Sequence, residues 1–255
     1  MTINCHIRHF LTILTFVIFS GSIHSQTSSD DNLKPKMTKQ EHFIVDIYSD
    51  IWTIKPDSIL KPEATNPGAA VFGLWDNPIG KSNFSLAFGI GISAHNIYTD
   101  KFPGDRFRID TAGYIFSEEF TTFYNIPGTL LNGDKLEYKK NKISVAYVDV
   151  PVEFRFRTRS LEKAKFRAAI GFRAGVMVGS KNKYKGDDYV NNTDHQIKMK
   201  THDIPFILPY RYGITARVGY SLLNLSVYYG LTKLFEKDKG PEISNLSVGI
   251  SIIPF

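Results

Sequence analysis

The sequence predicts an all-β fold, an eight-stranded antiparallel up-and-down transmembrane β-barrel with short periplasmic turns and long extracellular loops. Apolar residues alternate with small or polar residues in eight segments, as they do in strands that face lipid on one side only. The connections between these segments are alternately short and long. After the first 25 residues, no apolar run approaches the roughly 20 residues that a transmembrane helix needs.

The alternation is clearest in the third segment, where Phe84, Leu86 and Phe88 share one face and small or polar residues share the other. Most of the segments are near or above the ~10 residues that a tilted strand needs to cross a membrane. The polar Ser144 indicates a bulge at the start of the fourth strand, and Pro151 predicts a local irregularity because it has no amide hydrogen. The eight predicted strands cover residues 43–51, 69–75, 84–95, 146–157, 166–179, 210–220, 223–232 and 245–252.

The connections predict the orientation of the barrel. Short turns on the periplasmic side and long loops on the outer side are typical of outer-membrane barrels, and both termini then lie in the periplasm. Aromatic residues at both ends of the strands predict two interfacial belts. The short connections are residues 77–83, 158–165 and 221–222. The intervening ones are longer at residues 53–67, 99–142 and 181–205, and shorter at residues 235–241. The predicted belts contain Trp75, Phe84, Phe156, Phe166, Tyr220 and Phe255 at one end, and Trp52, Tyr98 and Tyr210 at the other.

The chain divides into a signal peptide at residues 1–25, a disordered arm at residues 26–42 and a barrel domain at residues 43–255. Arg8 precedes an apolar run, and small residues before Gln26 predict cleavage after Ser25. Cys5, the only cysteine, lies in this leader, so the mature chain has no disulfide and no thiolate site. The net charge of +6 falls to +5 without Arg8, and acidic and basic residues are interspersed, which argues against nucleic-acid binding.

The C-terminal strand predicts both location and a biogenesis partner. Leu246, Val248 and Ile250 share one face, and the chain closes on Phe255. Such a strand resembles the signal that outer-membrane barrels present to the barrel-assembly machinery, so Phe255 is the predicted assembly signal. We therefore expect this protein to be located in the cell outer membrane of a Gram-negative bacterium. A soluble periplasmic barrel is the alternative, and it predicts release into the soluble fraction.

Several segments resemble the PorT-like outer-membrane β-barrels of Bacteroidetes. The motif at residues 147–156, Tyr-Val-Asp-Val-Pro-Val-Glu-Phe-Arg-Phe, resembles the proline-containing strand of that family, and residues 82–91, 183–186 and 239–242 support the resemblance. It covers most of residues 43–255 and implies a small outer-membrane barrel without an established catalytic residue. The namesake member is associated with the type IX secretion pathway, whereas many relatives are barrels of unassigned role.

Charged residues on the inward face predict a network inside the barrel. The interior of an eight-stranded barrel is just wide enough for side chains to fill it, and charges there must pair. A salt-bridged plug is the structural interpretation, and an arginine-lined ligand or ion path is the functional one. Inward small residues, including Gly89, Gly91, Gly171 and Gly175, favour a plug. The predicted network contains Asp149, Glu153, Arg155, Arg157, Arg173, Arg211 and Arg217, with Asp46, Asp50 and Arg167 on the same face.

Two groups of residues invite a catalytic or metal interpretation. Ser93 and His95 share a face, but both are expected to point into the barrel, away from lipid substrates. His195 and His202 lie in an aspartate-containing loop without a recognised ligand spacing, so that a solvated loop is the simpler interpretation. We therefore assign no catalytic residue, no metal ligand and no cofactor.

Two long loops predict contacts outside the barrel. Lysines at 181, 183, 185, 198 and 200 lie on one loop, where they are either solvated or in contact with phosphates or carboxylates of the outer leaflet. The aromatic loop at residues 99–142 either binds a partner or extends the third and fourth strands and packs on itself.

The predicted function is a non-enzymatic scaffold or interaction component, with a link to type IX-like secretion or envelope assembly implied by the family resemblance. Its expected partners are outer-membrane lipid and lipopolysaccharide, the barrel-assembly machinery, and secretion or envelope proteins. Two alternatives remain open. One is a lipid-modifying enzyme that uses Ser93 and His95, and the other is a small anion-binding or transport barrel that uses Arg155, Arg173 and Arg217.

Overall fold

Strands make up almost all of the regular structure. A computed structural model describes residues 40–56, 59–109, 111, 113–131, 133–158, 166–191 and 193–253, so the predicted signal peptide, the arm before Gln40 and Phe255 lie outside the described residues. Among the described residues, no helix is long and apolar enough to span a membrane. The strands are β1 (Gln40–Lys55), β2 (Pro67–Pro78), β3 (Phe84–Tyr98), β4 (Lys101–Ile109), β5 (Ile115–Asn125), β6 (Tyr138–Arg157), β7 (Phe166–Asp188), β8 (Thr193–His202), β9 (Tyr210–Tyr220), β10 (Leu223–Gly230) and β11 (Glu242–Ile252).

Eight of these strands form a closed antiparallel ring in the order β1, β2, β3, β6, β7, β9, β10 and β11. Each pairs with the next in chain order, and β11 returns to pair with β1, where Ile47 faces Ile250. The ring confirms the predicted eight-stranded up-and-down barrel. The short connections lie at one end, the turn end, and the long connections lie at the other, the loop end.

The outer wall of the ring carries an apolar belt. On β3, for example, Leu86, Phe88 and Ile92 are 44%, 48% and 60% exposed, while the residues between them face inward. So large an apolar surface is stable only against lipid. Trp52 is an exception to the predicted aromatic belts, because its indole packs inward near His95 and donates to the carbonyl of Asn96 at 2.9 Å.

The strands extend beyond the predicted bounds at the loop end. β6 begins at Tyr138 rather than at residue 146, and β7 continues to Asp188 rather than ending at 179. The segment predicted as the loop 181–205 contains β8, and the loop 99–142 contains the β4–β5 hairpin. β1 likewise begins at Gln40, inside the predicted arm. The alternation fails as a signal there because outward residues need not be apolar once a strand has left the lipid.

The sequence predicted a β-bulge near Ser144 on β6. The structure has the bulge on the neighbouring strand, β7, instead. Ala146 pairs with Gly179 and Tyr147 pairs with Met177, which leaves Val178 as the extra residue. Val178 and Gly179 therefore both face outward, whereas unbroken alternation along the fifth predicted strand, residues 166–179, would place Gly179 on the inner face. At Pro151 the register is kept, although the β3–β6 ladder is interrupted between its Phe88–Val152 and Gly91–Asp149 pairs.

Deletion of Val178 is expected to turn Lys181, Lys183 and Lys185 towards the inside of the sheet, because a one-residue shift exchanges the two faces of a strand. Burying lysines without partners costs several kcal/mol per charge. We expect the barrel to keep its heat-modifiable gel mobility, while trypsin newly cleaves the extension at residues 181–202. Val178→Ala, which keeps the chain length, is the control. An unchanged trypsin pattern in the deletion variant would show that the bulge does not set this orientation.

Candidate functional site

The half of the barrel interior nearer the loop end is organised around Arg211 on β9. Its Nε and Nη2 atoms bind the Asp149 carboxylate at 3.2 and 2.8 Å, and Nη2 also donates to Ser93 Oγ at 2.7 Å. Its guanidinium lies 4.1 Å from the centre of the Tyr147 ring. All four side chains are buried. Arg211 therefore joins β3, β6 and β9 across the lumen.

His95 is also bound to Arg211, and this contact assigns its protons. Arg211 Nη1 donates to His95 Nε2 at 2.6 Å, so Nε2 carries the lone pair. The proton then lies on Nδ1, which is 2.9 Å from Asp50 Oδ2. Ser247 Oγ donates to the same aspartate at 2.5 Å. The imidazole is therefore a neutral link between Arg211 and Asp50.

Ser93 and His95 share the inner face, but they do not form a nucleophile–base pair. Ser93 Oγ donates to Asp149 Oδ2 at 2.6 Å and accepts from Arg211. The Nε2 atom of His95 faces Arg211 and Tyr48, whose hydroxyl is 3.3 Å away. Nucleophilic catalysis requires the serine within hydrogen-bond reach of its base. Here the guanidinium occupies the position through which the two would meet.

A second set of ion pairs lies towards the turn end, around Arg217. Arg217 bridges Glu153 and Asp46, with Nη2 at 2.8 Å from Asp46 Oδ2. Arg173 Nη2 is 3.7 Å from the same oxygen. Arg155 Nη2 binds Glu153 Oε2 at 2.8 Å. Glu153 thus accepts from two arginines, which is the arrangement that a buried carboxylate needs.

Asp76 is a further buried carboxylate at the turn end, where it pairs with two arginines. The sequence prediction did not include it. Its Oδ2 atom is 2.7 Å from Arg157 Nη2 and 3.5 Å from Arg155 Nη1. These residues and Arg167 line a narrow cleft at the turn end. The signal was present in the sequence, because Asp76 continues the inward alternation of Ala70, Phe72 and Leu74 by one step.

The interior is nearly balanced in charge and is filled by side chains. Aromatic rings pack against the guanidinium groups, with Arg173 lying 4.4 Å from the centre of the Phe72 ring. A Cβ atom on Gly175 would overlap the Asp149 carboxylate, so the glycine provides the space that this carboxylate occupies. The interior charges are the carboxylates of Asp46, Asp50, Asp76, Asp149 and Glu153 and the guanidinium groups of Arg155, Arg157, Arg167, Arg173, Arg211 and Arg217.

An apolar cluster closes the loop end. Segments from four connections meet over the lumen, and the chain from β8 to β9 pairs with the chain from β10 to β11 at Ile207 and Phe235. Phe123 of β5 packs edge-on against Phe235 at 6.1 Å. The buried members are Ile54, Leu60, Ile97, Phe123, Ile143, Val145, Tyr147, Ile204, Ile207, Leu234, Phe235 and Ile243. In the described residues, charged side chains thus fill the lumen towards the turn end, and apolar side chains fill it at the loop end.

The outer wall at the loop end carries a basic surface, the lysine face, formed by β6, β7 and β8. Two rows of lysines cross the three strands, because Lys183 pairs with Lys142 on one side and Lys200 on the other, and Lys185 pairs in the same way with Lys140 and Lys198. The sequence placed five of these lysines on a loop and missed the two on β6, since their convergence depends on strand pairing. The lysine face consists of Lys140, Lys142, Lys181, Lys183, Lys185, Lys198 and Lys200.

The β4–β5 hairpin, which we call the distal hairpin, is fixed at its base and exposed at its tip. Thr121 donates to the carbonyls of Lys239 and Pro205 at 2.9 and 2.7 Å. Glu119 pairs with Lys239 at 3.2 Å, and this hydrogen bond raises the pKa of Lys239. At the tip, Phe107, Ile109 and Ile115 share one face and are 59%, 66% and 69% exposed. The aromatic loop is therefore attached to neighbouring connections at the base of the hairpin, whereas the apolar side chains at its tip are exposed.

The two loop histidines do not converge. His195 lies near the start of β8 and His202 at its end, on opposite faces of the strand, seven residues or roughly 23 Å apart. Within the described residues, no group of three or more His, Cys, Asp and Glu side chains is arranged to hold a metal ion.

Comparison with known proteins identifies the family. The family model described as outer membrane protein beta-barrel domain matches residues 77–236, more than half of the chain. No curated protein sequence matches this chain. The crystal structure of Ail, the attachment invasion locus protein of Yersinia pestis, in complex with the heparin analogue sucrose octasulfate, is similar over 86% of this chain and 100% of its own, at 9% identity and a TM-score of 0.36. In barrels of the outer membrane, short turns face the periplasm and long loops face the exterior, so the loop end here is extracellular. The chain belongs to the outer membrane protein beta-barrel domain family and is a β-barrel of the outer membrane.

Proposed function

We propose that this protein is a non-enzymatic interaction component of the outer membrane, which binds an envelope or secretion protein at the cell surface. The observation that carries the proposal is the distal hairpin, whose apolar face is exposed although its base is firmly attached. Aromatic and aliphatic side chains clustered on one exposed surface are typical of protein contacts. The PorT-like resemblance supports a secretion or envelope-assembly partner.

The filled interior supports an interaction role over transport. Arg155, Arg173 and Arg217, the arginines of the transport alternative, each lie near a buried carboxylate. An anion passing through the lumen would have to displace these ion pairs and then cross the apolar cluster at the loop end. Both steps are costly in a low-dielectric interior.

The position of Ser93 supports a non-enzymatic role. Its hydroxyl is committed to Asp149 and Arg211, and both Ser93 and His95 are buried inside the barrel. A lipid-modifying enzyme would need a nucleophile that is accessible from the membrane and paired with its base.

The test is crosslinking in native envelopes followed by purification of the tagged protein in mild detergent. Replacing the hairpin face in a Phe107→Ser, Ile109→Thr, Ile115→Thr variant is expected to reduce recovery of the specific partner by about tenfold or more, because hot-spot side chains each contribute 2 kcal/mol or more. The matched control is Leu131→Thr with Val190→Thr, two apolar residues that are exposed elsewhere on the loop end.

Three outcomes would contradict the proposal. Equal recovery of partners with the hairpin variant and the control would show that the distal hairpin does not bind the partner. Anion-selective conductance that is lost when Arg155, Arg173 and Arg217 are replaced would favour the transport barrel. Lipid turnover that is lost in Ser93→Ala and His95→Ala variants would favour the enzyme.

A further inference from the structure

The lysine face places like charges directly opposite one another on paired strands. The rows Lys142–Lys183–Lys200 and Lys140–Lys185–Lys198 run across β6, β7 and β8. Opposite side chains in an antiparallel pair have Cβ atoms roughly 5 Å apart, and successive outward residues along a strand are roughly 7 Å apart. Like charges in such pairs repel each other. An anion bound between the lysines would relieve this repulsion.

No carboxylate in the described part of the chain forms an ion pair with these lysines. Lys142 Nζ donates to Asn96 Oδ1 at 2.7 Å, and Lys140 lies 5.1 Å from the centre of the Tyr98 ring. Burial and then the neighbouring Lys140, Lys183 and Lys181 lower the pKa of Lys142, which lies beyond the apolar belt. The face thus carries uncompensated positive charge.

The carboxylates nearest to the lysine face either bind other groups or lie at its edge. Asp187 ends the β7 row, and its carboxylate accepts from the Glu137 amide at 2.7 Å and from the Gln196 side chain. Asp100 and Glu63 lie near Tyr138, at the β3 side of the face, and form no ion pair with a lysine of the face. These carboxylates therefore do not offset the positive charge of the lysine face.

The position of the lysine face at the edge of the apolar belt indicates that its anionic ligand is a lipid. It continues the outer wall of the barrel, and Lys181 follows the lipid-facing Val178 by three residues, roughly 10 Å along the strand. A shallow cleft joins the two surfaces, with Ala146, Val178 and Gly179 on its apolar side and Lys142 and Lys181 on its basic side. A lipid with a phosphorylated headgroup matches both sides at once, whereas a soluble polyanion would contact the basic side alone.

We propose that the lysine face binds the phosphate groups of outer-leaflet lipids, lipopolysaccharide in particular, with the headgroup in this cleft. The two rows provide positions for more than one phosphate, through charge-assisted hydrogen bonds from the ammonium groups. The bulge at Val178 produces this surface, because it turns the β7 lysines outward. The lysine face is separate from the distal hairpin, so the proposal goes beyond the partner binding inferred above and is independent of it.

The test measures retention of lipopolysaccharide by the purified full-length barrel in nanodiscs, with native mass spectrometry as the readout. Near an anionic membrane surface each lysine contributes about a fivefold increase in affinity, so Lys183→Gln, Lys185→Gln, Lys200→Gln is expected to weaken retention on the order of 100-fold. The matched control, Lys61→Gln, Lys135→Gln, Lys237→Gln, removes three exposed lysines elsewhere on the loop end and is expected to retain lipid as the unmodified protein does.

Measurements on the unmodified protein keep the proposal testable if the triple variant does not fold. Enzymatically dephosphorylated lipopolysaccharide should be retained far less than the native form, and retention of the native form should fall as salt increases. Equal retention of the two forms would overturn the proposal. So would equal retention by the lysine-face variant and its control. Tight binding of a soluble sulfated polysaccharide without binding of lipopolysaccharide would assign the face to a polysaccharide instead.

Discussion

Replacing Arg211 by leucine is expected to destabilise the barrel by about 3–5 kcal/mol, because the substitution leaves the Asp149 carboxylate buried without its cation. Arg211 also supplies the donors to Ser93 and His95, so two further polar groups lose a partner. The measurement is urea unfolding in lipid vesicles, followed by tryptophan fluorescence and gel mobility. Trp52 lies 6.5 Å from the His95 ring and therefore reports on this network.

A double-mutant cycle separates the ion pair from general damage. Asp149→Asn alone is expected to be strongly destabilising, because it leaves Arg211 as the unpaired charge. The double variant, Asp149→Asn with Arg211→Leu, should lose less stability than the sum of the single variants, since neither charge is then left alone. Arg106→Leu provides the surface control. Arg106 lies 3.7 Å from Glu118 with its side chain 45% exposed, and exposed pairs contribute about 0–1 kcal/mol. Additive losses in the cycle would contradict a structural role for the Arg211–Asp149 pair.

Gly175→Ala is expected to destabilise the barrel by about 1–3 kcal/mol, although it adds a single methyl group. The new Cβ would overlap Asp149 Oδ1 and lie 3.1 Å from its Cγ atom. Asp149 cannot move aside without losing Ser93 or Arg211, so the steric cost also weakens the ion pair. The measurement is the same urea titration in vesicles.

Gly179→Ala is the matched control on the same strand. Gly179 faces outward, and no atom lies within 4 Å of an added Cβ. Alanine is preferred to glycine in a strand by roughly 0.5–1 kcal/mol, so this variant should be neutral or slightly more stable. If both variants behaved alike, the Asp149 carboxylate would not be fixed in the position that the structure gives it.

The barrel and the inward direction of its charges follow from the residue pattern of the single strands. Alternation is a property of each strand alone, since lipid accepts apolar side chains on one face and the lumen accepts polar ones on the other. Residues such as Asp149, Glu153 and Arg217 could therefore be assigned to the interior before any pairing was known. Asp76 would also have been assigned to the interior if the second predicted strand had been extended by one residue.

Which side chains meet across the lumen follows only from the pairing and tilt of the strands. Asp50, His95 and Arg211 come from β1, β3 and β9, and contacts across the lumen depend on strand tilt and register, which alternation within a strand does not encode. The lysine face likewise arises from pairing, because Lys142, Lys183 and Lys200 are far apart in sequence and adjacent only in the β6–β7–β8 sheet. The direction of its central row depends on one extra residue, Val178, whose bulge reverses the faces of β7.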